Sequence, residues 1–157
     1  MLGLIRAAAI LALVSAYPQE PSAQLLPDWF GTWHLDIARS TFNGPSPYVR
    51  GKWTVTRGQA DEIVMTYDQV GTRGGVNHME WKGRFDGNDY RLQGPDALVT
   101  YAYTQIDART LTLVVKVDGQ PSATARVVLS PQGTVTATTQ SQTARGPTTT
   151  VVIYGKR

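Results

Sequence analysis

From Gly31 onward the apolar residues of this chain recur at every second position in short runs, and nowhere does a helical spacing persist for three turns. Turn chemistry separates the runs: Gly58-Gln59-Ala60-Asp61, Gly71-Thr72-Arg73-Gly74-Gly75, Asp86-Gly87-Asn88, Gly94-Pro95-Asp96, Asp107-Ala108-Arg109, Asp118-Gly119, Pro131-Gln132-Gly133 and Gly146-Pro147. These breaks fall about 8 to 14 residues apart, the rhythm of consecutive antiparallel hairpins. Asp118-Gly119 is the sharpest, because Asp-Gly accepts the positive φ angles of a two-residue hairpin turn and valine-rich runs flank it.

Between the breaks the alternation predicts about ten strands. They are Thr32–Asp36, Tyr48–Arg57, Glu62–Val70, Val76–Phe85, Asp89–Leu92, Ala97–Ile106, Thr110–Val117, Ser122–Ser130, Thr134–Ser141 and Thr148–Tyr154. Most carry one apolar face. Leu111, Leu113, Val115 and Val117 share a side, Met79, Trp81 and Phe85 another, and Ala123, Ala125, Val127 and Leu129 a third. One buried and one wet face per strand suits a sandwich or a barrel. The run of hairpins favours an all-β, single antiparallel up-and-down barrel, since closure removes the edges that a long meander leaves open.

The first residues do not belong to that pattern. Arg6 precedes the short apolar run Ala7–Val14, and small residues follow at Ser15, Ala16, Ser22 and Ala23. This is the layout of a cleaved secretory signal peptide over residues 1–23, cut after Ala16 or Ala23, and the run is too short to span a bilayer. The expected mature domain, residues 24–157, is therefore exported, to the periplasm or the medium, and has no integral membrane segment. With no cysteine, it lacks disulfides that export would permit, along with thiolate metal sites and thiol nucleophiles. The net charge of +3 is spread as single residues and forms no nucleic-acid footprint.

Chemistry is sparse. The two histidines, His34 and His78, sit on strands among outward-facing polar residues, with no carboxylate or second histidine at ligand spacing. The aspartates cluster at turns, where they bond to their own backbone. No Gly-x-Ser-x-Gly elbow, phosphate loop or dinucleotide fingerprint is present. No enzyme, metal or cofactor is expected. What remains is aromatic: Trp53, Tyr67, Trp81, Tyr90, Tyr101 and Tyr103 fall near strand centres. Such side chains either fill a core or line an apolar cavity with a few polar tips. Arg84, Arg91 and Arg126 would add an anion site if one pointed inward, but the phase of its strand puts Arg126 outside.

The opening Phe30-Gly31-Thr32-Trp33-His34-Leu35-Asp36-Ile37-Ala38-Arg39-Ser40, with its Gly-x-Trp on the first strand, and the closing Val151-Val152-Ile153-Tyr154 before Lys156 and Arg157 resemble the calycins, the lipocalin and fatty-acid-binding barrels. More narrowly, the opening is similar to small exported bacterial lipocalin-like proteins of unassigned function. The resemblance implies that Trp33 packs across a closed barrel end with Lys156 or Arg157 as its cation, and it assigns Gly31, Trp33 and Arg157 to that end. The fatty-acid-binding branch adds a helical lid between its first two strands, whereas Asn43-Gly44-Pro45-Ser46-Pro47 here cannot make a helix pair, so any lid is a loop. The function expected is binding of a small, apolar or amphipathic molecule, with Trp53, Tyr67, Trp81, Tyr101 and Tyr103 as ligand residues. The alternative is an exported protein-binding module, an inhibitor or envelope stress factor, with a filled barrel and Leu25–Trp29 or Asn43–Tyr48 as its working segment.

Overall fold

The computed structural model describes residues 25–156. The leader expected over residues 1–23 and the terminal Arg157 lie outside them. A single 3-10 turn, Pro27–Trp29, leads into β1 (Gly31–Leu35), β2 (Tyr48–Arg57), β3 (Ile63–Gly71), β4 (Val76–Gly83), β5 (Tyr90–Gln93), β6 (Val99–Asp107), β7 (Thr110–Val117), β8 (Gln120–Leu129), β9 (Thr134–Thr143) and β10 (Gly146–Gly155). Each strand pairs antiparallel with its predecessor, and β1 also pairs with β10, so the meander closes into a ten-stranded barrel.

The turns behave as their residues dictate. Asp118 and Gly119 both take positive φ, 49° and 78°, the two-residue reversal whose twist matches the β7–β8 hairpin. Gly146-Pro147 is a correction, because it forms the start of β10 and not a turn. The Thr143 hydroxyl accepts the Arg145 N–H and donates to the Gly146 carbonyl, so the reversal closes at Ala144-Arg145. A proline at the start of a strand forfeits little pairing.

One end of the barrel is plugged. Trp29 and Trp33 are buried there, with the Trp33 indole N–H donating to the Trp29 carbonyl and that of Trp29 to the Ala108 carbonyl. Lys156 takes the place of the basic cap: its ammonium lies 4.6 Å from the centre of the Trp33 ring and donates to the Asp28 carbonyl. Gly31, at φ 120°, lets the chain turn beneath it, and a Cβ there would stand 3.7 Å from the lysine Cε.

Two seams close the cylinder. Between β1 and β10 only His34↔Gly155 and Leu35↔Tyr154 are paired as strands. The following loop carries the pairing on, with Asp36 N–H to the Ile153 carbonyl, Ile153 N–H to the Ser40 hydroxyl, and a bridge between Thr41 and Val151. At the other seam β5 pairs two positions with β4 and two with β6. There the stretch after β4 packs against β6, the Gly87 N–H donating to the Tyr103 carbonyl and the Gln105 N–H to that of Phe85. Gly83 makes this approach possible, because a Cβ on it would fall 2.5 Å from the Tyr90 ring and 2.7 Å from that of Trp81. Gly83→Ala is expected to lower stability by about 1–3 kcal/mol through overpacking. Urea unfolding checks this, and an unchanged midpoint would mean that the seam has slack.

Candidate functional site

Alternation on β2, β3, β4 and β6 turns Trp53, Tyr67, Met79, Tyr101 and Tyr103 toward the barrel axis. The register sets Trp33, Trp53, Tyr67 and Met79 side by side in one inner row across β1 to β4. Trp53 and Tyr67 lie nearly parallel, 8° between planes and 6.3 Å between centroids, and Tyr101 meets Tyr67 edge-on at 6.3 Å. Tyr154 enters from β10, its ring 5.8 Å from that of Trp53. Facing this aromatic wall, β8 and β9 present the smaller side chains Ala125, Val127, Val135, Ala137 and Thr139. Large rings on one side and small side chains on the other leave an inner chamber of about 210 Å³.

The chamber opens sideways. A second hollow of about 460 Å³ lies under the β1–β2 loop, between Phe42, Pro45 and Pro47 and the edges of β2 and β10. Gln69, Thr139, Val152 and Tyr154 line both, so the two hollows adjoin. The loop over the mouth, residues 36–47, contains no helix.

Polar tips are few. The Tyr67 and Tyr103 hydroxyls are 2.9 Å apart, and Tyr67 also donates to the Met65 sulfur at 3.3 Å, a weak acceptor. Trp29, Trp33 and Trp81 each donate their indole N–H to a main-chain carbonyl. The buried Trp53 N–H finds no partner among the described residues. An unmet buried donor costs about 1–3 kcal/mol. Among the described residues neither hollow is lined by a charged side chain.

The sequence expectations sort accordingly. Trp53, Tyr67, Tyr101 and Tyr103 are brought together on the chamber wall. Trp81 is a correction: it is wholly buried against Phe85, Tyr90 and Tyr103, bonded to the Tyr101 carbonyl, and does not line the chamber. Its place beside β5 and Gly83 makes it seam packing. Tyr90 reaches outward to Asp86. Arg84, Arg91 and Arg126 are exposed. His78 is a second correction, since strand pairing sets it opposite Asp68, whose carboxylate also holds Lys52 at 3.2 Å. The hydrogen bond from His78 holds the Asp68 carboxyl below its usual range. This cluster is on the outer face, away from the chamber. No group of three or more metal-ligating side chains occurs among the described residues.

Gln69, Met79 and Tyr154 are lining residues that sequence reasoning missed. Continuing the phase Ile63, Met65, Tyr67 one step would have found Gln69. Tyr154 follows three apolar residues in a row, so no alternation marked its face.

No family model and no curated protein matches the chain. Solved structures do. The zebrafish ileal bile acid-binding protein complexed with cholic acid aligns over 83% of this chain and 99% of its own, at 14% identity and a TM-score of 0.55. The shared fold is a closed, ten-stranded antiparallel barrel. A mutant of the fluorescent protein UnaG aligns over 83% of this chain and 96% of its own, at 13% identity and a TM-score of 0.55. Wild-type UnaG gives 82%, 96%, 14% and 0.51. At these identities the calycin likeness is one of fold.

Burial governs the chamber phenols. It raises Tyr67 well above its usual value, with neighbouring Tyr103 adding to the shift, pushes Tyr101 up to about 12, and raises Tyr103 and Tyr154 further. A phenol whose folded pKa exceeds its unfolded value of 10.0 contributes its full stabilisation below that pH and loses it as the pH climbs toward the folded value. The barrel is therefore expected to weaken steeply above about pH 10. The four phenols should ionise together with unfolding, read as absorbance at 295 nm against near-ultraviolet circular dichroism. Ionisation of all four at about pH 11 in an intact barrel would contradict it.

Proposed function

We propose that the protein is an exported carrier that holds a small, largely apolar molecule in its barrel. The observation that carries this reading is the chamber itself, an aromatic hollow joined to a wider mouth, where a filled core would suit a protein-binding module. Its inner volume of about 210 Å³ is below that of most small-molecule sites, roughly 300–1,000 Å³. The ligand accordingly puts a ring-sized end inside and runs its remainder out beneath Phe42 and Pro45. The likeness to a barrel solved with cholic acid supports the binding class. Phenols, an amide and an indole orient a bound molecule; they supply no nucleophile or ready base at neutral pH. Export rests on the leader pattern at residues 1–23.

Native mass spectrometry of protein recovered gently from the exported fraction tests both halves. The expected result is a chain starting at Tyr17 or Gln24 with a mass excess that denaturation removes. Ala137→Phe puts its ring into the empty chamber and should abolish the excess without lowering the thermal midpoint, as cavity-filling substitutions do. A clean mass, with no quenching of tryptophan fluorescence by a panel of apolar compounds, would sink the carrier and favour the protein-binding module. A chain that retains Met1 would sink export.

A further inference from the structure

We infer that the molecule held in the chamber is uncharged and presents a hydrogen-bond-accepting oxygen to Tyr67. This rests on the carrier reading and adds the chemical class of ligand. The Tyr67 hydroxyl donates to a poor acceptor. Tyr67 and Tyr103 have two hydroxyl protons; one lies between the two oxygens, 2.9 Å apart, and the other goes to the Met65 thioether. A carbonyl or ether oxygen is a far better acceptor than that sulfur, so a ligand oxygen draws the Tyr67 proton to itself. Trp53, stacked parallel on Tyr67, carries a buried indole N–H with no partner among the described residues, while the protein's other three tryptophans all donate to carbonyls. The Tyr67 proton, held only by a thioether, is therefore the donor on this wall with most to gain from an acceptor oxygen.

Charge is the second constraint. Among the described residues, neither the chamber nor its mouth has a lysine, arginine, histidine or carboxylate in its lining. An anion entering would lose its water with no cation to meet it, and a cation would face wall donors with no carboxylate. The aromatic rings do attract cations, but the orphan N–H and the thioether-bound phenol proton oppose one here. An aromatic ketone, lactone, amide or quinone fits; an anion whose charged end enters the chamber does not.

The test uses four probes of one shape, 2-acetylnaphthalene, 2-ethylnaphthalene, 2-naphthoate and 2-naphthyl-trimethylammonium, titrated into the full mature chain by calorimetry at pH 8. The ketone should bind roughly fivefold more tightly than the hydrocarbon, and both charged probes should be weaker than the hydrocarbon. Tyr67→Phe should bring the ketone-to-hydrocarbon ratio to near one. Because that variant alters a packed wall, the wild-type protein gives an independent readout. The infrared carbonyl stretch of carbon-13-labelled 2-acetylnaphthalene should move to lower wavenumber on binding than in cyclohexane. Tighter binding of either charged probe, a ketone ratio of one in the wild type, or a carbonyl stretch at its cyclohexane position overturns the inference and leaves the carrier standing. Failure of all four probes overturns the inference and the carrier reading together.

Discussion

A meander of ten strands has two open edges until its first strand meets its last, and here that meeting is narrow. Two residues of β1 pair with two of β10, and the loop from Asp36 to Thr41 continues the ladder with main-chain and hydroxyl hydrogen bonds. Lys156, just past the seam, lies over Trp33 and bonds back to the Asp28 carbonyl, tying the end of the chain to its start. A slip of one residue here would send Tyr154 outward and put its neighbour in the chamber, because side chains alternate strictly across the sheet. The interior is thus set by a junction of a few residues at the ends of the domain.

Given that closure, the inside divides by the sizes of its side chains. Toward the plugged end, Trp29 and Trp33 with Met65, Leu111, Leu129 and Val135 leave no access to solvent, and the indole donors are met by carbonyls. Farther along the axis Trp53 and Tyr67 stand against Ala125 and Ala137, and the mismatch in size makes the chamber. The Lys52–Asp68–His78 cluster lies on the outer face. A hollow that is aromatic and, among the described residues, lined by no charged side chain suits a neutral guest better than an ionised one.

The strands were legible because alternation is local. β2 and β7 match the expected Tyr48–Arg57 and Thr110–Val117 residue for residue, and the β7–β8 reversal falls on Asp118-Gly119 as its φ preferences require. The wall residues Trp53, Tyr67, Tyr101 and Tyr103 could be picked out by the same phase. Trp81 shares that phase but packs into the β4–β6 seam, since its depth along the axis and the bare Gly83 beside it decide whom it meets. Asp68 and His78, ten residues apart in sequence, become partners only through the β3–β4 register.

By itself, the sequence determined what is written in neighbouring residues: strand after strand, most of the turns between them, and an inner and an outer face for each. It also determined the absence of thiol chemistry, since no cysteine is encoded. Only the tertiary structure decided which inward side chains share a height on the barrel axis. That placed small residues opposite large ones, opened the mouth beneath the β1–β2 loop, and left a phenol proton on sulfur and the Trp53 N–H without an acceptor. The physical reason is that alternation fixes direction from each strand alone, whereas height depends on shear and register, which arise only when the sheet closes on itself.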